Sequence, residues 1–218
     1  MSENENAEKA VNCLREGFKY SSLTLALIVL FSLPMVNLVT TILTYGVPFF
    51  LVLITWALGL YKRRNGWSLL GQKHITRITA VFSIILFLSI FPITQIVGRS
   101  LFSHSSFLYY AFMLTPVIAW GIYTISESQG LKQLKESCSI NLHSSTICSL
   151  LGVLVYTVCF ITSLVLNLPY LDGYGIMFAE YYSKPFLFAF PFLIASCTLA
   201  IKNLKIVRQV AQSSVSAR

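Results

Sequence analysis

The chain has 218 residues, of which 56% are hydrophobic and 11% charged, with a formal net charge of +8 and a mean hydropathy of +0.72. A soluble domain carries about 25% charged residues, because it must cover its surface with groups that water solvates. This composition therefore excludes a soluble enzyme, a disordered chain and a disulfide-stapled secreted domain, and it predicts an integral membrane protein.

Residues 1–19 precede the first long apolar segment and predict an amphipathic helix. Ala7, Val11, Leu14 and Phe18 recur at helical spacing, while charged side chains occupy other positions of the helical wheel. This pattern favours a helix that lies on the inner membrane surface. The apolar run that follows is longer than the core of a secretory signal, so we expect it to be retained as the first membrane span.

Six apolar segments are long enough to cross a bilayer core of about 30 Å, which requires roughly 20 residues in a helix. They are 20–42, 45–61, 78–98, 107–125, 147–169 and 185–202. Their unbroken apolar runs favour helices over the alternating strands of a membrane barrel. The predicted fold class is all-α: one domain over 20–203 with six transmembrane helices in three hairpins. A tight turn is expected from Thr44 to Gly46, because one helix from 20 to 61 would be about 60 Å long.

The basic residues predict the orientation of these spans. The N-terminal segment, the loops 62–77 and 126–146, and the C-terminal stretch that includes the basic tail 204–218 hold 14 of the 16 lysines and arginines. The opposite side keeps only Arg99 and Lys184. Because basic loops stay in the cytoplasm, both termini are predicted to be cytoplasmic, in the cell membrane. The same distribution explains the net charge, and no nucleic-acid partner is expected, since a phosphate-binding surface requires clustered cations.

Three cytoplasmic segments place apolar residues among charged ones: 1–19, 126–138 and the tail from Leu204. They predict either helix ends that are finished by snorkelling lysines or docking surfaces for membrane-protein partners. A separate basic cluster, Lys62 to Arg64, predicts an anchor that touches anionic lipid headgroups at the end of the second span.

No group of residues predicts catalysis. The six spans have no ionisable residue at their centres, where a proton-coupled carrier would need one, and Glu127 falls in a predicted inner loop. The three histidines, His74, His104 and His143, occupy three different loops and are not expected to share a metal ion. Nucleotide-binding glycine loops and zinc-protease motifs are absent from the sequence. We therefore predict no catalytic, cofactor or metal site, and a protein that is not an enzyme.

The last outer loop contains the one candidate binding surface. Asp172 and Glu180 lie there beside tyrosines such as Tyr174, while Arg99 and His104 lie in the neighbouring outer loop. Carboxylates next to aromatic rings can hold a cation. The alternative interpretation is an aromatic belt at the membrane interface.

These features predict a non-enzymatic subunit or accessory factor of a membrane assembly, in contact with the lipid bilayer. The alternative is a channel or facilitator for a small solute, because prolines interrupt the predicted spans and could act as hinges. A faint internal repeat also links the first two hairpins: 33–39 resembles 91–97, and Gly59 to Tyr61 resembles Gly121 to Tyr123.

Two short motifs carry a resemblance to a known group. Leu14-Arg-Glu-Gly-Phe18 precedes the first span, and a basic segment from Tyr61 to Gly71 follows the second. Together they resemble uncharacterised multi-pass membrane proteins of thermophilic archaea, which are grouped as a domain of unknown function. The matching residues are Leu14, Gly17, Phe18, Arg64, Gly66, Trp67 and Leu70. The resemblance implies a multi-pass membrane fold and brings no activity with it.

Overall fold

The computed structural model describes residues 3–32, 41–90, 106–138, 142–166, 185 and 187–204. Within these ranges the chain is helical and contains no strand, so the predicted all-α class is confirmed. The helices are α1 (Glu3–Ser32), α2 (Thr41–Leu69), α3 (Lys73–Ile90), α4 (Ser106–Cys138), α5 (His143–Leu166) and α6 (Leu187–Leu204).

The helices are longer at one end than the apolar segments that predicted them. The amphipathic segment 1–19 and the first apolar segment form one continuous helix, α1. The predicted loops 62–77 and 126–146 are largely helical, because α2 continues to Leu69 and α4 to Cys138. Lysine, arginine and glutamine are good helix formers, so the change to charged residues ends the apolar pattern without ending the helix. Thr44 and Gly46 lie inside α2, and the turn expected there is wrong.

A three-residue turn joins α2 to α3. The Gln72 N–H donates to the carbonyl of Trp67 at 3.0 Å, and the Gly71 N–H donates to the carbonyl of Ser68 at 3.0 Å. These two bonds form a Schellman motif, which satisfies carbonyls that the helix end leaves free. Gly71 has a φ of 70°, a conformation that side chains with a Cβ rarely adopt. We call this end of the bundle the α2–α3 end.

Small residues bring α1 and α2 into close antiparallel contact. The α1 residues that contact α2 alternate three and four positions apart: Ala10, Leu14, Gly17, Ser21 and Thr24. A Cβ atom on Gly17 would lie 3.0 Å from the carbonyl oxygen of Gly59, and one on Gly66 would lie 2.6 Å from Leu14 Cγ. The Thr24 hydroxyl donates to the hydroxyl of Thr55 at 3.0 Å. The two helices therefore approach too closely for larger side chains at these positions.

The pairs α3–α4 and α5–α6 also run antiparallel, with Ile75 near Gly130 and Phe82 near Tyr123 in the first pair. Phe82 of α3 stacks on Tyr123 of α4 with ring centroids 4.8 Å apart. Ser145 of α5 and Ser196 of α6 exchange two bonds, each hydroxyl donating to the other's backbone carbonyl at 2.8 Å. Such hydroxyl-to-backbone bonds between helices require small side chains at the crossing.

Many large apolar side chains point away from the bundle. On α5 they recur three and four residues apart, with exposed fractions of 41–59%: Ile147, Leu151, Leu154, Val158 and Ile161. Two described segments, His143–Thr162 and Leu187–Leu204, are long and apolar enough to cross a membrane, and only 33% of the residues in the apolar stretch of each are buried. The core helix of a soluble protein would instead be mostly buried, so the apolar surface of these helices faces outward.

Candidate functional site

A buried ion pair lies near the α2–α3 end. Arg63 of α2 donates from Nη1 to Glu127 Oε2 at 2.8 Å and to the Tyr123 hydroxyl at 3.1 Å. The Tyr123 hydroxyl in turn donates to Glu127 Oε1 at 2.9 Å. These three hydrogen bonds form a closed ring. The side chains of Arg63 and Glu127 are 9% and 7% exposed. We call these three residues the Arg63 ring.

Two further helices surround the Arg63 guanidinium. The Phe18 ring of α1 lies under it, with the ring centroid 4.1 Å from Cζ, a cation–π contact. Because Gly17 has no side chain, the aliphatic stem of Arg63 passes directly across the α1 backbone. Cys197 of α6 is buried and close enough to interact electrostatically with the guanidinium. Arg63 thus connects α2 to α1, α4 and α6.

The electrostatics of the ring keep Arg63 charged. Burial alone would lower its pKa, but the carboxylate of Glu127, helped by Tyr123 and Cys197, outweighs burial and raises the pKa of Arg63 above its ordinary value. A raised pKa stabilises the fold below the unfolded pKa, and this contribution is lost only as pH rises through the higher folded value. Since arginine is already protonated at every ordinary pH, Arg63 stays cationic.

Three buried N–H groups in the described residues have no protein acceptor: Arg15 Nε, Arg63 Nε and Trp67 Nε1. Trp67 lies one helical turn beyond Arg63, and its six-membered ring packs against the backbone at Gly130 of α4. An unsatisfied buried donor costs free energy. Close packing along this part of α2 therefore leaves two buried N–H groups, Arg63 Nε and Trp67 Nε1, without a hydrogen bond to protein.

The Arg63 ring bonds α2 to α4, and the side chains of Arg63 and Glu127 are almost completely buried. Within the described ranges, no three His, Cys, Asp or Glu side chains come together as metal ligands. The ring thus connects α2 with α4 through buried, charge-assisted hydrogen bonds.

Two sequence interpretations are corrected here. Arg63 does not belong to an exposed basic anchor with Lys62 and Arg64, because it turns inward and is 7% exposed, whereas Arg64 is exposed. Glu127 does not lie in an inner loop, because it belongs to α4 and is buried. An inward position next to an opposite charge is the physical reason for both differences.

The apolar faces predicted for residues 1–19 and 126–138 are covered by the protein itself, as far as their side chains are described. Val11, Leu14 and Phe18 of α1 are buried in one cluster together with Leu131 and Leu134 of α4. The residues from Leu204 onward are described only at Leu204, which is buried in the same cluster. The apolar side chains of α1 before residue 20 and those near the C-terminal end of α4 thus share one cluster at the α2–α3 end.

The outer-face candidates lie outside the described residues. Asp172, Glu180, Arg99, His104 and Tyr174 belong to ranges that the structure does not describe. A binding surface formed by them stays a prediction.

A readable signal for the Arg63 ring was present in the sequence. On α2, Trp56, Leu60, Arg63 and Trp67 are spaced four, three and four residues apart, so Arg63 replaces an apolar residue in a buried stripe. On α4, Glu127 replaces one in the stripe that includes Tyr123, Leu131 and Leu134. Opposite charges in two apolar stripes indicate a buried pair.

No protein-family model, curated protein or solved structure matches this chain. The resemblance to archaeal multi-pass membrane proteins therefore stays a prediction. Among the residues that carry it, Leu14, Gly17, Gly66 and Trp67 are buried, and the first three of these form the close α1–α2 contact.

Proposed function

We propose that the protein is a polytopic protein of the cell membrane with six spans and cytoplasmic termini. Outward-facing apolar side chains on the described helices support insertion. The antiparallel arrangement also brings the lysines and arginines of the described residues to the α2–α3 end, on α1 before residue 20, around the α2–α3 turn, and near the C-terminal ends of α4 and α6. Cations at one end of a membrane bundle favour a cytoplasmic location for that end.

Within this architecture we propose a non-enzymatic subunit of a membrane assembly, and one glycine carries the proposal. The structure describes the surroundings of six glycines that lie inside helices. Five of them meet another helix closely enough that a Cβ atom would be tight or would clash: Gly17, Gly59, Gly66, Gly130 and Gly152. At Gly121 of α4, by contrast, no atom of another described helix lies within 4 Å of the place where its Cβ would be.

The open space at Gly121 favours a partner helix from another subunit. Glycine inside a helix costs about 1 kcal/mol relative to alanine, and no contact of the described residues requires it at this position. In membranes, small residues permit close approach of two helix backbones. Ile118, Ile122 and Ile125 are each more than half exposed around Gly121, so a partner helix would meet a shallow depression between isoleucine side chains.

Purification from the native membrane in a gentle detergent tests this proposal. We expect a second membrane protein to be recovered in a fixed ratio with the wild type and to be lost from Gly121→Ile, whose side chain fills the depression. Ala57→Ile is the matched control, because Ala57 is an exposed small residue on α2. Recovery of a lone monomer or a homodimer, or full retention of the partner by Gly121→Ile, would contradict the proposal.

The described interhelical hydroxyls support helix association rather than a solute path. Thr24 bonds to Thr55, and Ser145 bonds to Ser196, so each of these hydroxyl groups is used between two helices. The channel alternative has no described feature in its favour, and we propose the subunit function alone.

A further inference from the structure

Five exposed cations surround the α2–α3 end: Arg64, Lys73, Arg77, Lys132 and Lys202. We call them the cationic rim. They come from four helices, α2, α3, α4 and α6. Among the side chains that the structure describes, the ion pairs are Lys9–Glu5, Lys19–Glu16 and Arg63–Glu127, and none of them uses a cation of the rim. The charge of the rim is therefore uncompensated by the described part of the protein.

Three acids of the described helices pair with cations that do not belong to the rim. Glu5 pairs with Lys9 at 2.8 Å, and Glu16 pairs with Lys19 at 2.6 Å. Glu127 is buried in the Arg63 ring. Lys9, Lys19 and Arg63 are thus paired within the protein, whereas no described ion pair uses a cation of the rim.

The rim begins where the exposed surface stops being apolar. On α2, Leu58 and Tyr61 are exposed and Arg64 follows. On α3, Arg77 precedes the exposed side chains of Val81 and Ile84. On α2 and α3, the cation of the rim and the nearest of these exposed apolar or tyrosine side chains are three or four residues apart, about 5 Å along the helix axis. Tyrosine at such a boundary is typical of the headgroup level of a bilayer.

We propose that the cationic rim binds the headgroups of anionic phospholipids. The inference rests on the proposed membrane insertion, since the apolar surface places the rim beside the headgroups only if lipid covers that surface. Charge complementarity identifies the ligand as a phosphate-bearing headgroup with net negative charge, because a zwitterionic headgroup compensates its own phosphate. The rim also replaces the anchor predicted at Lys62 to Arg64: Arg64 belongs to it, whereas Arg63 does not.

The test reconstitutes the full-length protein in phosphatidylcholine vesicles and measures the lipids at its surface with spin-labelled phosphatidylglycerol and phosphatidylcholine. A basic residue near a membrane surface favours an anionic lipid by about fivefold. We expect the wild type to prefer phosphatidylglycerol by about two- to fivefold. The double variant Arg64→Gln/Arg77→Gln should lose at least half of that excess. The control variant Lys9→Gln/Lys19→Gln removes two cations that are paired within the protein and should keep it.

The outcomes separate the rim from the proposed insertion. Equal association of both lipids with a protein that remains in the vesicles overturns the rim proposal and leaves insertion intact. Protein that does not enter vesicles overturns both.

If the double variant fails to insert, the lipid preference of the wild type is measured at about 1 M salt, where charges are screened beyond about 3 Å. The preference should disappear there, and its persistence overturns the proposal. Inorganic phosphate that removes the preference more strongly than chloride of equal ionic strength overturns it too, in favour of a free anion.

Discussion

Among the lysines and arginines whose burial the structure describes, Arg63 is the buried one. Several interactions meet at its side chain. A buried ion pair gives little net stability, because each charge loses its hydration. Breaking such a pair is costly, however, because the remaining charge stays buried without a counterion. The Arg63 ring therefore acts more on the arrangement of α1, α2, α4 and α6 than on the total free energy of folding.

This asymmetry gives a prediction for single and double substitutions. Arg63→Met should lower the free energy of unfolding by about 3–5 kcal/mol, because Glu127 is left buried without its counterion. Arg63→Met/Glu127→Leu should recover most of that loss. Denaturant unfolding in detergent micelles measures both variants in a double-mutant cycle.

The control for the cycle is the exposed pair Glu16–Lys19, whose side chains are 42% and 45% exposed. Lys19→Met should change the free energy of unfolding by no more than about 1 kcal/mol. A single Arg63→Met variant as stable as Lys19→Met would show that the Arg63 ring does not connect the helices.

At the level of helices, the close contact of α1 and α2 depends on what each glycine meets. Gly17 faces the backbone of α2, with the carbonyl oxygen of Gly59 and the backbone nitrogen of Arg63 each 3.0 Å from its ideal Cβ position. Backbone atoms cannot move aside as the end of a flexible side chain can. A methyl group at Gly17 therefore forces the two helices apart.

Gly17→Ala and Gly121→Ala form a matched pair for this point. Both add one methyl group inside a helix, and both gain up to about 1 kcal/mol of helix propensity. We expect Gly17→Ala to lower the free energy of unfolding by about 1–3 kcal/mol through overpacking. Gly121→Ala should leave it unchanged or raise it slightly, because the space there is open. Thermal unfolding of the two variants under identical conditions checks the difference, and equal melting temperatures would refute it.

The all-α class could be read from the sequence because apolar run length decides it, but the extent of each helix could not. The length of an apolar segment shows where the apolar residues end, whereas a helix ends where its backbone is capped. For α2 that point is Gly71, with its φ of 70°, and the apolar run had ended about ten residues earlier. The inward positions of Arg63 and Glu127 could be predicted only by considering α2 and α4 together, because the counterion of each buried charge lies on the other helix.

The predicted faces of residues 1–19 and 126–138 illustrate the same limit. Their amphipathic pattern was read correctly as helix with one apolar side, but the pattern does not say what covers that side. Lipid, a partner and another segment of the same chain are equivalent on a helical wheel. The structure places Leu14 and Leu131 in one buried cluster, and only the three-dimensional arrangement could distinguish this outcome.

Across the whole molecule, the described helices carry apolar side chains outward, while several polar side chains are bonded between helices. Thr24, Ser145 and Glu127 are buried, whereas Ile84, Leu154 and Phe188 are each more than half exposed. In water this distribution would be unfavourable, because apolar area exposed to solvent costs free energy in proportion to its size. In lipid it is the expected distribution, since polar groups there have no solvent partner and must bond to one another.

One substitution distinguishes these two environments. Leu154 lies near the middle of His143–Thr162 and is 59% exposed. If lipid surrounds it, Leu154→Arg should oppose insertion of α5 by about 2.5–3.5 kcal/mol, the range for arginine at the centre of a span. The control Leu69→Arg changes a residue that is 42% exposed beside the α2–α3 turn, where an arginine reaches the headgroups and should cost little. Protease protection of α5 after translation into membranes measures the inserted fraction. A soluble protein would tolerate both changes within about 0.5 kcal/mol, as exposed positions do, and equal behaviour of the two variants would contradict the proposed span.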